Sequence, residues 1–134
     1  GAAPINFAII KGDNVTGNTL MKMVEKMDAG PIILQSKFNI NEYENAAQLE
    51  DRMAEDAAEL LIEGLDKIKK GSYSLIEQDK NEASFAGKLK KTTALVDWNK
   101  TALEIFNLVR GCIPWPVAYT YCNKKILRSQ KYKS

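Results

Sequence analysis

Between Asn45 and Lys69 apolar residues return at every third or fourth position: Ala46, Leu49, Met53, Ala57, Leu60, Leu61, Leu65 and Ile68. That is the period of an α-helix with one apolar stripe, and such a stripe needs other elements to lie against. Acids gather in the early turns and lysines in the late ones, an order the helix dipole favours. Gly71 follows as a stop signal. The charged face is expected in water.

The flanking segments read as shorter elements. Pro4 suits a first helical turn, and Ile5, Ala8 and Ile9 recur at helical spacing before Gly12, which predicts a helix over 4–11. Gly12-Asp13-Asn14 is a turn. Thr19–Val24 alternates apolar and polar residues and predicts a strand. A second strand is expected from Ile32 to Ile40, its apolar front half inside a covered sheet. SYSLIEQ holds a candidate short strand, and NEASFAGKLKKTT reads as a linker. A further helix is expected over about 101–110, with Leu103, Phe106 and Val109 or Arg110 on successive turns. Pro114-Trp115-Pro116 breaks the chain, and Trp115 reads as a core anchor. Val117–Tyr121, the turn Cys122-Asn123-Lys124 and Lys125–Leu127 predict a closing hairpin. The first block reads as the end of an α/β domain and the second as the start of a smaller β domain.

Composition removes several classes of function. In 134 residues, 45% hydrophobic and 27% charged, there is enough apolar material for a core, and the chain does not read as disordered. The net charge of +2 does not by itself imply a nucleic-acid partner. Its distribution is uneven: Lys124–Ser134 carries five basic residues and no acid, whereas Glu42–Glu63 is mostly acidic. No apolar run reaches the length of a membrane span. The two cysteines, Cys112 and Cys122, form no C-x-x-C pair, and there is no histidine. The usual zinc frameworks are therefore excluded and no metal is expected; the thiols read as buried in a reducing compartment, and the cytoplasm is the default expectation. Without histidine, acid–base chemistry near neutral pH falls to carboxylates, to lysine, or to residues from elsewhere. The opening GAAPINFAII begins mid-element and reads as the interior of a longer chain.

One carboxylate has a setting suited to chemistry. In KMDAGPIILQ, Asp28 stands two residues before Gly30-Pro31 and an apolar run. Gly30 permits a tight backbone and Pro31 fixes entry to the strand. An acid there is common turn chemistry, and the same turn also aims a carboxylate at a ligand crossing a sheet edge.

Several ordered motifs together resemble the folate-dependent formyltransferases. Gly1-Ala2-Ala3-Pro4-Ile5 matches the end of the family's R-G-A-A-P-I stretch, Thr16-Gly17-Asn18-Thr19 its T-G-x-T strand start, and Met27-Asp28-Ala29-Gly30-Pro31-Ile32 its M-D-x-G-x-I. Phe85-Ala86-Gly87-Lys88-Leu89 resembles its linker. Val96-Asp97-Trp98 and Arg110-Gly111-Cys112-Ile113-Pro114-Trp115-Pro116 resemble the I-D-W and R-x-x-x-P-W-P markers of its C-terminal domain. The resemblance implies an α/β fold: the C-terminal part of a Rossmann-like catalytic domain over 1–82, a linker over 83–95, and the start of a small OB-like β-barrel over 96–134. It implies transfer of a formyl group from 10-formyltetrahydrofolate, within one-carbon metabolism, to the amine of methionine on initiator tRNA. It assigns Asp28 the catalytic role and places Glu25, Lys26, Met27, Asp28, Ala29 and Gly30 along the pterin pocket. Lys88, Lys90 and Lys91 become candidate tRNA contacts, beside the plainer reading of a solvated linker. The family's catalytic Asn and His fall outside this sequence, so the chain alone is expected to be inactive and its parent to be a monomer. Two other readings are a sugar-nucleotide N-formyltransferase or formyltetrahydrofolate hydrolase, and a non-catalytic fragment or interaction module.

Overall fold

The computed structural model describes residues 3–22, 30–77 and 87–129. The chain divides into two compact units, each discontinuous in sequence. One comprises Gly1–Asn14, Ile40–Glu50 and Ala86–Ser134, the other Val15–Asn39 and Asp51–Phe85.

In the first unit, helix α1 (Pro4–Ile10) packs on helix α3 (Ala102–Gly111). The crossing is close. A Cβ at Gly111 would stand 2.5 Å from Ile10 Cγ1, and Asn6 Nδ2 donates to the Gly111 carbonyl at 2.9 Å. Ile9, Leu49, Ala94 and Cys112 are fully buried. Thr101 and Glu104 form a reciprocal capping box at the start of α3: Thr101 Oγ1 accepts from the Glu104 N–H, and Glu104 Oε1 from the Thr101 N–H, both at 3.1 Å. Those bonds hold the Glu104 carboxyl below its ordinary value. Within the segment expected as a linker, Lys91–Ala94 form a 3₁₀ turn.

The closing hairpin forms from β5 (Tyr119–Cys122) and β6 (Lys125–Arg128). Asn123 and Lys124 both have positive φ, the geometry a two-residue hairpin turn requires. The expected start at Val117 moves to Tyr119 because Val117 lies at φ 74°, outside extended backbone. Trp115, expected in a core, is half exposed and lines a cavity of about 430 Å³ with Pro4, Asn6 and Glu50.

In the second unit, β1 (Val15–Thr16) pairs with β4 (Phe38–Asn39), and β2 (Thr19–Met21) with β3 (Ile32–Gln35), both antiparallel. The single strand expected over 32–40 is thus two. The break falls at Ser36, whose hydroxyl is held by the Asn18 N–H and by Asp56, so the chain leaves β2 and pairs next with β1. Ile32 also bridges Ile76, with N–H donors in both directions at 2.6 and 2.9 Å, which realises the candidate strand in SYSLIEQ as one pair.

Helix α2 (Ala46–Lys70) matches the pattern that predicted it. Asn45 and Gln48 cap its start reciprocally, at 2.9 and 3.0 Å. Gly71, at φ 66°, ends it: its N–H reaches the Ile68 carbonyl and the Ser72 N–H the Lys67 carbonyl, the Schellman pairing that favours glycine. The packed face differs from the expected one. It runs through Ala46, Leu49, Met53, Ala57, Leu60 and Gly64, while Leu61, Leu65 and Ile68 are exposed. Leu20 of β2 approaches so closely that Gly64, not Leu65, continues the stripe. Among the described residues no helix is long and apolar enough to cross a membrane.

Burial gives the two thiols different chemistry. It pushes Cys112 up to about 11, while Cys122 is exposed. A maleimide or disulfide reagent at pH 8 is expected to modify one thiol per native chain and two in denaturant. Because burial favours the neutral Cys112 thiol, its contribution to stability is complete below the ordinary thiol value. It fades as pH rises through about 11, which denaturant titrations from pH 8 to 11 would register.

Candidate functional site

The turn carrying the candidate acid begins and ends on the β2–β3 ladder. Thr19 faces Gln35, Leu20 faces Leu34 and, after a shift in register, Met21 faces Ile32. The Lys22 N–H then donates to the Pro31 carbonyl at 2.9 Å. Proline has no N–H to return, so this bond closes the neck one way only. Gly30 is buried there, and a Cβ on it would collide with the Lys22 carbonyl. The glycine of the M-D-A-G-P-I turn is therefore required by the crossing of two backbone strands.

Of the six residues expected to line the pocket, Gly30 is described in this way. Glu25, Lys26, Met27, Asp28 and Ala29 lie outside the described residues, as does the tail of the strand expected over 19–24.

The other end of the hairpin is tied to α2 by a polar cluster that the sequence pattern did not single out. Asn18 Nδ2 donates to Asp56 Oδ2 at 2.8 Å and to the Met53 carbonyl at 2.9 Å. The Ser36 hydroxyl accepts from the Asn18 N–H at 3.0 Å and donates to the same Asp56 oxygen. The Ser36 N–H donates to the Asn18 carbonyl at 2.9 Å. Asp56 was hidden within an acidic stretch expected in solvent. Its spacing was the available signal, because 49, 53, 56 and 60 lie on one helical face.

Lys88, Lys90 and Lys91 belong to the other unit and are exposed. Their segment is held from both sides. The Gly87 carbonyl accepts from the Ala3 N–H at 3.3 Å, Ala94 is fully buried, and the Val96 N–H donates to the Tyr119 carbonyl at 2.9 Å. Trp98 Nε1 adds a bond to Thr120 Oγ1 at 2.9 Å. The three ammonium groups thus project from a fixed backbone.

Comparison with known proteins matches two models of one family. The model described as formyl transferase matches residues 1–65, and that described as formyl transferase, C-terminal domain, matches residues 88–133.

The chain belongs to the formyl transferase family.

Similar proteins include the methionyl-tRNA formyltransferase of Nitratidesulfovibrio vulgaris, 47% identical over 119 residues, covering 89% of this chain and 36% of the relative. The methionyl-tRNA formyltransferase of Bacillus subtilis is 41% identical over 128 residues, covering 96% of this chain and 40% of the relative. The chain thus spans well under half the length of those relatives. Among solved structures, an N-formyltransferase from Helicobacter canadensis in complex with folinic acid and dTDP-3-aminofucose superposes with a TM-score of 0.76. It is 22% identical, over 90% of this chain and 45% of that one, a likeness of fold.

The neck predicts its own sensitivity. Gly30→Ala is expected to lower the stability of the chain by about 1–3 kcal/mol, the usual cost of forcing atoms into a filled site. Urea denaturation measures this; an unchanged midpoint would show that the neck tolerates a Cβ.

Proposed function

We propose that the protein to which this chain belongs transfers the formyl group of 10-formyltetrahydrofolate to the amino group of methionyl-initiator tRNA, in the cytoplasm and as a monomer. The observation that carries this reading is the identity of 47% and 41% to enzymes named for that acceptor. The sugar-nucleotide enzyme resembles the chain at 22%. The folinic acid bound by that structural neighbour supports a folate donor.

On this reading residues 1–82 complete a Rossmann-like catalytic domain, 83–95 connect, and 96–134 begin an OB-like barrel. The family matches at 1–65 and 88–133 support the division. Asp28 is the catalytic carboxylate, and Glu25–Gly30 border the pterin through backbone groups. The amine nitrogen bonds to the formyl carbon, the bond from that carbon to N10 of the folate breaks, and the proton that the amine gives up ends on N10. Asp28 orients a histidine and the water that relays that proton. This sequence contains no histidine, so the partner comes from residues beyond it. Lys88, Lys90 and Lys91 meet the tRNA backbone, where lysine positions a polyanion without reading its sequence.

Two outcomes are expected. In the full-length protein Asp28→Asn lowers kcat at least about 100-fold with folate affinity retained, since acid–base groups contribute on this order; the chain as given shows no turnover. Wild-type kcat in the Asn variant, or turnover by the chain alone, would remove Asp28 or its missing partner from the mechanism. Initiator tRNA affinity falls with salt, and each of Lys88, Lys90 and Lys91 changed to alanine lowers the slope of log affinity on log salt by about one. A slope indifferent to all three places the tRNA elsewhere.

A further inference from the structure

Arg110 is buried in the first unit, and its guanidinium bonds on both sides. Nε and Nη2 donate to Asn107 Oδ1 at 3.0 and 2.9 Å, one turn back on α3. Nη1 donates to the Glu44 carbonyl at 3.0 Å and to the Asn41 carbonyl at 3.4 Å. The Phe106 ring lies 5.7 Å from the guanidinium and meets Tyr43 edge to face at 5.9 Å. The receiving turn is closed on itself: the Glu44 N–H donates to the Asn41 carbonyl, and the Asn41 N–H to Glu44 Oε1, both at 3.1 Å. It leads into the cap of α2.

Arg110 and Asn107 lie in the span matched by the C-terminal domain model, and Asn41–Glu44 in the span matched by the first model. The fork therefore joins the two family segments inside one compact unit. Only a planar group with donors on separate nitrogens satisfies an amide oxygen on one side and two carbonyls on the other. A lysine ammonium has the charge without that fork.

We infer that Arg110 is a positioning residue for the acceptor: it fixes α3 onto the Asn41–Glu44 turn and, through the Asn6–Gly111 bond to α1 and the Ala3–Gly87 bond beyond it, the segment that presents Lys88, Lys90 and Lys91, so that the tRNA meets both segments in one arrangement. This rests on the tRNA reading above. Residues 25–30, proposed above to border the donor, fall in the other unit, and folate affinity is the control readout.

The test separates the two claims. In the full-length protein Arg110→Met is expected to raise KM for initiator methionyl-tRNA on the order of tenfold, from the loss of charged hydrogen bonds. Folate Kd should be unchanged, and Arg110→Lys should fail to restore KM. An unchanged KM, an equal loss of folate binding, or full rescue by lysine overturns the inference. If Arg110→Met does not fold, Asn107→Ala, which removes the acceptor that orients the guanidinium, carries the same expectation. Hydrogen exchange on the full-length protein needs no substrate: either variant is expected to speed exchange of the Glu44 amide, and an unaltered rate overturns the fork. Faster exchange in a full-length protein that does not formylate tRNA would defeat the tRNA reading while leaving the fork in place.

Discussion

A polar group placed on the packed face of a helix must find a partner there or leave the fold, and both units are organised around that demand. On α3 the buried side is Asn107, Arg110 and Gly111, while Leu103 and Phe106 face outward. On α2 the packed side includes Asp56, which is bonded by Asn18 and Ser36. Apolar contact alone fixes a helix loosely about its axis. A carboxylate or guanidinium with directed partners fixes which turn meets which loop. Arg110 in particular loses hydration on burial, which lowers its pKa, while the nearby Glu44 and Glu42 act in the opposite sense. Its neutral amide and carbonyl partners supply the hydrogen bonds that water no longer can.

The β2–β3 hairpin shows the same logic at both ends. Near Asp56 it is tied to a helix by side chains. At Lys22 and Gly30 it is closed by backbone alone, with no room for a side chain. The two ends of the stem are thus set by different means, side-chain bonds at one and main chain at the other.

Much of this was legible from residue order. The helices over 4–10, 46–70 and 102–111, the glycine stop at Gly71 and the Asn123-Lys124 hairpin follow from period, capping and turn chemistry. The family resemblance rested on motifs whose spacing survives across the chain, and the family matches agree with it. What periodicity missed has a common cause. It assigns the core to the most apolar stripe, and here the packed face departs from it in the last turns of α2 and along α3. Leu65 and Ile68 gave way to Gly64, where Leu20 comes close, and Leu103 and Phe106 gave way to Asn107, while Arg110, named beside Val109 on the expected stripe, is buried. Tertiary partners decide such cases, and a single element does not carry them. The break at Ser36 and the late start of β5 after Val117 were likewise set by a side-chain bond and by one backbone angle. The candidate site was legible only as a motif, and of its residues 25–30 the structure describes Gly30.

The crossing of α1 over α3 carries a consequence for how such sequences drift. Gly111 leaves space that Ile10 occupies, with Cγ1 standing 2.5 Å from where a Cβ would be. Volume at the two positions is shared. Shortening residue 10 would remove only the side-chain part of that conflict, because the backbone oxygen of Asn6 and the backbone nitrogen of Ile10 stand 3.1 and 3.2 Å from the same point. Position 111 is therefore held to glycine by the backbone of α1 as well as by its side chain, so drift at residue 10 leaves the crossing where it is.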